Sequence, residues 1–238
     1  MKPQNHDAAG ITMMEILVVI VIITGLALVS APVVFTSRKA PDRTEALNNI
    51  KQVGMMLSDF EADYGKFPDD ETAEEVRRKT KTEFKLTGQY SNDYFRQMLA
   101  GGSGKSEKPF WCKTAQSPKK PDDVFSIPAK ALEAGEVGFS YIMASPTRGQ
   151  SVSDEPSRPV VVTPSYRFQP DWTFDPEAFA GKAIVLRLDN RATPMQIRED
   201  NRKVSTNTGK TLGDTGENTP WGKVMTPYLR APEPRGGK

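Results

Sequence analysis

The stretch Gly10-Ile11-Thr12-Met13-Met14-Glu15, continued by ILVVIVIITGLALVSAPVVFTS from Ile16 to Ser37, decides how the rest of the chain is read. No charged residue lies between Glu15 and Arg38, a run of 22 residues. As a helix rising 1.5 Å per residue it would extend about 33 Å, close to the roughly 30 Å core of a bilayer. A cleaved secretory signal has a shorter apolar region, about 7–15 residues. Val29-Ser30-Ala31 imitates a cleavage site, but Pro32 follows it and would block processing. A buried core helix fits poorly too, because the run is apolar on every face rather than on one stripe. The expectation is a membrane helix over about residues 13–35, attached to a polar domain.

Glu15 is the one carboxylate at the edge of this run. An ionisable group inside a bilayer costs several kcal/mol, roughly 2.5–3.5 on insertion scales, so it needs a partner. In the first helical turn it also suits the positive end of the helix dipole. Gly25 and Pro32 weaken the helix midway, Pro32 by removing a backbone donor. The charges flanking the run, Arg38, Lys39 and Arg43 against Lys2, would by the positive-inside rule favour the opposite orientation to the one adopted below. A long domain, however, translocates largely regardless of charge.

The order polar leader, Gly10, apolar Ile11, Glu15, long apolar run resembles the class III signal of type IV prepilins and type II secretion pseudopilins. That resemblance implies cleavage after Gly10 by a prepilin peptidase and methylation of the new amino group on Ile11, although the family's usual first mature residue is Phe. It implies that Glu15 pairs with the α-amino group of a neighbouring subunit's Ile11 and sets register during assembly. It also implies insertion in the inner membrane as a single span, with a cytoplasmic N-terminus and a periplasmic C-terminal domain. The implied partners are the peptidase, copies of the chain and other pilin-like subunits, the assembly platform with its ATPase, and membrane lipid.

Beyond Pro41-Asp42, apolar residues fall at Leu47, Ile50, Val53, Leu57, Phe60 and Tyr64. Steps of three and four mark one helical stripe. Gly65 and Pro68 stop it. The exit Tyr64-Gly65-Lys66-Phe67-Pro68 is similar to the turn that closes the long helix of major pseudopilins. The expected fold is therefore α+β and pilin-like. A long N-terminal helix, its first half transmembrane, packs by its second half on a small antiparallel sheet with long loops. The expected divisions are a leader over 1–10, the helix over 11–64, and a globular domain over 65–238 ending in an irregular tail.

In that domain, residues 69–75 are acidic and 77–81 basic, the pattern of a solvated helix face. Residues 90–99 suggest a short helix ended by Gly101-Gly102-Ser103-Gly104. That cluster lacks the spacing and the Lys-Ser/Thr of a phosphate-binding loop. Alternation predicts strands at Val137–Tyr141, Pro159–Thr163, Ala183–Leu188, Thr193–Arg198 and Lys203–Thr206, with a tight turn at Asp189-Asn190.

Scarcity excludes several chemistries. His6 is the only histidine and Cys112 the only cysteine, so neither a Ser-His-Asp or Cys-His centre nor a Cys/His zinc site can form in the polar domain. A net charge of +2, from 32 basic and 30 acidic residues, offers no case for nucleic acid. No catalytic residues are expected and no cofactor is required. By the resemblance to major pseudopilins, a calcium ion could sit in a C-terminal loop, and Asp214 and Glu217 in Gly213–Asn218 are the nearest candidates. The expected function is a structural subunit of a type II secretion pseudopilus. The rivals are a type IV pilus subunit for adhesion or motility, and a membrane-tethered periplasmic binding protein or hydrolase.

Overall fold

The computed structural model describes residues 13–167, 171–223 and 225–236, without the side chains of residues 27–38. The chain separates into two units, Met1–Lys39 and Ala40–Lys238. Helix α1, Met13–Tyr64, carries the boundary between them.

In the larger unit, α1 buries Ala46, Ile50, Val53, Leu57 and Phe60, the spacing of one helix face. Gly65, at φ +80, ends the helix in the left-handed conformation that glycine adopts without strain. The exit turn is then held from three sides. The Phe67 N–H donates to the Gln150 carbonyl at 3.0 Å, and the Gly149 N–H donates to Asp69 Oδ2 at 3.1 Å. The Tyr141 hydroxyl donates to the Pro68 carbonyl at 3.0 Å.

Helix α2, Asp70–Thr80, opens with a capping box in which Asp69 and Thr72 satisfy each other's backbone donors. Its acidic first turn and basic last turn complement the helix dipole. Helix α3, Ser91–Gly101, stops at Gly102, φ +88. A buried guanidinium ties α3 to the loop below it. Arg96 pairs with Asp93 at 2.8 Å and donates to the carbonyls of Ala131 and Leu132 at 2.7 and 2.9 Å.

Five strands form one antiparallel sheet: β1 Ser140–Met143, β2 Pro159–Thr163, β3 Lys182–Arg187, β4 Ala192–Gln196 and β5 Tyr228–Arg230. Their spatial order is β4-β3-β2-β1-β5. Asn190, at φ 57, makes the turn between β3 and β4. The run Ala183–Leu186 is continuously apolar because the sheet is covered on both faces. Ile184 and Leu186 join the core with α1, whereas Ala183 and Val185 join a second core. That second core contains Phe174, Ile197, Val204, Leu212, Trp221 and Leu229.

Several expectations are corrected here. The pilin-like fold with a half-transmembrane helix does not stand, because among the described residues no helix is long and apolar enough to cross a membrane. The apolar side chains that are described run from Met13 to Leu26. The inner-membrane span, the cytoplasmic N-terminus and the periplasmic domain fall with it. What the sheet packs on is the part of α1 from Ala40 onward. The C-terminal tail is not wholly irregular either, since β5 pairs with β1 and Trp221 is buried in the second core. Lys203–Thr206 makes only isolated bridges, Ile197 with Val204 and Ser205 with Thr211. The first strand starts at Ser140 rather than Val137, because residues 137–139 pass beside the segment 110–112 instead.

That last contact is close. The Gly138 N–H donates to the Phe110 carbonyl at 3.0 Å, and a Cβ on Gly138 would meet the Cys112 backbone at 2.8 Å and its sulfur at 2.5 Å. Gly138→Ala should therefore destabilise the globular unit by about 1–3 kcal/mol, the range for forced overpacking. Urea denaturation followed by tryptophan fluorescence measures this, and a variant as stable as the parent would contradict the packing described.

Candidate functional site

The exposed apolar surface of the smaller unit is the first candidate. From Met13 to Leu26 the large apolar side chains are between 47% and 87% exposed, with Ile16, Ile20 and Ile23 at 50%, 58% and 60%. They lie on every side of the helix, so no single face escapes water. A contiguous apolar surface of this kind marks an interaction site. Glu15 sits in the first turn, exposed among them. Nothing lies within 4 Å of where a Cβ on Gly25 would be, so another chain can approach the backbone closely there. Thr24 bonds back to the Ile20 carbonyl at 2.7 Å, satisfying its hydroxyl within the helix. Gly10 and Ile11 lie outside the described residues. Pro32 lies within α1, and its side chain is likewise outside the description.

The two carboxylates considered for calcium each have a partner of their own. Asp214 accepts the Thr211 N–H at 2.7 Å, and that backbone hydrogen bond holds its carboxyl below the usual range. Glu217 faces Lys223 at 2.5 Å. Both act as turn and surface pairs.

A different acidic group converges in the long connection between α3 and β1. Asp122, Glu133 and Glu136 each place a carboxylate oxygen within 4.8 Å of the others. Lys119 reaches between two of them, paired with Glu133 and 3.0 Å from Glu136 Oε1. Glu107 lies beside the group and is wholly buried. Its N–H donates to Asp123 Oδ1 at 2.8 Å, and its Oε1 accepts the Leu132 N–H at 2.5 Å. Its Oε2 has no hydrogen-bond partner. Burial pushes the Glu107 carboxyl up to about 7, against the Leu132 N–H, which favours the charged form; the charges of Glu136, Asp122 and Asp123 raise it further. Sequence reading missed this group because its members are spread over 30 positions. The only local signal is Glu133-x-x-Glu136, which is common on solvated surfaces.

An open cleft of about 680 Å³ lies between residues 144–158 and 221–228. Its Arg158 is engaged by Asp154 at 3.2 Å and by the Pro220 carbonyl at 3.1 Å. Among the described residues that line it there is no histidine and no cysteine. Cys112 is no nucleophile: it is buried, shares hydrogen bonds with Thr163 and Gly138, and burial pushes its thiol up to about 12.

No family model, curated protein or solved structure matches the chain.

Glu107 makes a pH prediction. Its carboxyl rises from an ordinary 4.5 to about 7 on folding, so between these values the native state holds a proton that the unfolded state has lost. Stability from this group is therefore unaffected below pH 4.5 and falls as pH rises toward 7, by on the order of 3 kcal/mol in full. In divalent-free buffer, Glu107→Gln should match the parent near pH 4.5 and exceed it above pH 7. Denaturation midpoints across pH 4–8 test this; a difference that does not grow with pH refutes it.

Proposed function

We propose that this chain is a pseudopilin-like structural subunit of a type II secretion pseudopilus, processed by a prepilin peptidase after Gly10 and assembled through its N-terminal helix. The observation that carries the reading is the apolar surface from Met13 to Leu26, exposed all round and bearing one carboxylate, Glu15. Such a surface costs free energy in water, about 25 cal/mol per Å² of apolar area, until something covers it. Helices of other copies cover it in this reading, and Gly25 allows their backbones to come close.

Processing supplies the matching charge. Cutting after Gly10 frees an α-amino group on Ile11, whose ordinary pKa of about 7.7–8 leaves it mostly cationic at neutral pH. Glu15 lies four residues on, one helical turn away. When helices stack with an axial offset, the carboxylate of one copy meets the amine of the next. Burying one charge without the other is strongly unfavourable, by about 3–5 kcal/mol, so only the paired register is stable. Apolar contact provides cohesion and the ion pair provides alignment. The globular unit rides on the helix, and the assembly ATPase belongs to a partner.

Intact mass and N-terminal sequencing, with and without the peptidase, test the reading. The expected mature chain begins at Ile11 and depends on the enzyme; a chain that keeps Met1 in its presence overturns the proposal. Given processing, Glu15→Gln should leave cleavage unchanged and reduce assembled filaments by at least about tenfold, as loss of one buried charge partner implies. Undiminished filaments would remove the pairing role of Glu15.

A further inference from the structure

We propose that the cleft between residues 144–158 and 221–228 binds an acidic segment of a partner polypeptide, with a carboxylate side chain of that segment on Arg148. At about 680 Å³ the cleft has the size of a binding site, within about 300–1,000 Å³, yet it is open to solvent. A small molecule is held by burying most of its surface. An open trough cannot do that, whereas a chain that crosses it adds contact with each residue laid down. The cleft belongs wholly to the larger unit, so its occupancy does not depend on helix assembly.

The charges that line the cleft do not cancel. Two arginines and one carboxylate face it. The carboxylate, Asp154, has both oxygens engaged: Oδ1 meets Arg158 at 3.2 Å, and Oδ2 accepts the Ser151 N–H at 3.0 Å. Arg158 is engaged with it, and its Nε donates to the Pro220 carbonyl at 3.1 Å. Arg148 differs. Its exposed side chain has no ion pair, hydrogen bond or aromatic partner among the described residues. A guanidinium presents N–H donors in a planar fork that meets a carboxylate at two points. One uncompensated fork of this kind selects an anion.

The remaining groups decide which anion. Ser145 Oγ accepts the N–H groups of Thr147 and Arg148, at 3.4 and 3.2 Å, which leaves its proton to donate. The hydroxyls of Thr226 and Tyr228 have no hydrogen-bond partner among the described residues. These donors suit carboxylate and peptide carbonyl oxygens alike. Pro146, Met225 and Trp221 add apolar surface that a bare inorganic ion would leave unused. The walls are already fixed. The Trp221 indole N–H donates to the Leu212 carbonyl at 2.8 Å, and Arg230 donates to the Pro146 carbonyl while its guanidinium lies 4.5 Å from the Tyr228 ring centroid. Such a preformed site loses little conformational freedom when a chain binds.

Calorimetric titration of the full chain in mild detergent with the end-blocked pentapeptide Ala-Asp-Phe-Glu-Ala tests the proposal, with Ala-Asn-Phe-Gln-Ala as its uncharged twin. Saturable binding of the acidic peptide is expected, at least about fivefold tighter than that of the twin. Arg148→Gln, at an exposed side chain with no partner to lose, should weaken it at least about fivefold, as removal of one exposed paired charge implies. Lys105→Gln, which removes an exposed cation outside the cleft, should leave it unchanged. No saturable binding, equal affinity for the twin, an Arg148→Gln variant that binds as the parent does, or an equal loss in Lys105→Gln would each overturn the assignment.

Discussion

The globular unit depends on burying both faces of β3. Ile184 and Leu186 point into the core shared with α1, and Ala183 and Val185 into the core closed by Trp221. A sheet with one wet face would show polar residues at every second position; β3 shows none between Ala183 and Leu186. Both covers are therefore required. The helix supplies one, through side chains spaced three and four apart. Segments with little regular structure supply the other, and they do so with a few large residues, Trp221, Phe174 and Leu212, anchored locally. The Trp221 indole N–H donates to the Leu212 carbonyl at 2.8 Å, which fixes the ring and satisfies its one polar group.

This arrangement explains why the long connection from Gly102 to Phe139 can be both irregular and well fixed. Its backbone polar groups must be satisfied, and no strand runs through it to do so. Side chains take over. Asn49 of α1 donates to the Trp111 carbonyl at 2.8 Å, Ser91 to the Phe139 carbonyl at 2.8 Å, and Arg96 to two further carbonyls. Each of these donors comes from a helix already held by apolar packing. The loop thus inherits its order from α1 and α3, and the buried carboxylates of Glu107 and Glu136 are a consequence of that same closure.

What was legible in the sequence follows periodicity. The stripe from Ile50 to Phe60 repeats at the helical period, and those residues are buried. The run at 183–188 and the turn at Asp189-Asn190 carry strong local chemistry, and they form β3 and its turn. The second core was not legible. Its residues come from segments whose neighbours are Thr, Gly and Asn, so neither period 2 nor period 3.6 shows through. Strand β5 is three residues long and is specified by its pairing with β1, a long-range contact that local pattern cannot carry. The acidic group failed to announce itself for the same reason, because its members meet only after the loop closes on α3. The membrane reading rested on the length of one apolar run, and among the described residues no helix is long and apolar enough to cross a membrane.

The two units also differ in how they treat apolar residues, and this difference bears on function. Among the described residues of the larger unit, only Met55, Ile127 and Val152 are large apolar side chains with about half their surface exposed; from Met13 to Leu26 every large one is. A scattered few are ordinary on any protein surface, where apolar atoms make up more than half the area. A continuous set is not, since it forms a patch far larger than a monomer tolerates. In the assembly proposed above, the single carboxylate of Glu15 would limit which associations are acceptable. In that proposal, apolar contact alone would allow the helices to slide past one another, and one fixed charge near the start of the run would remove that freedom.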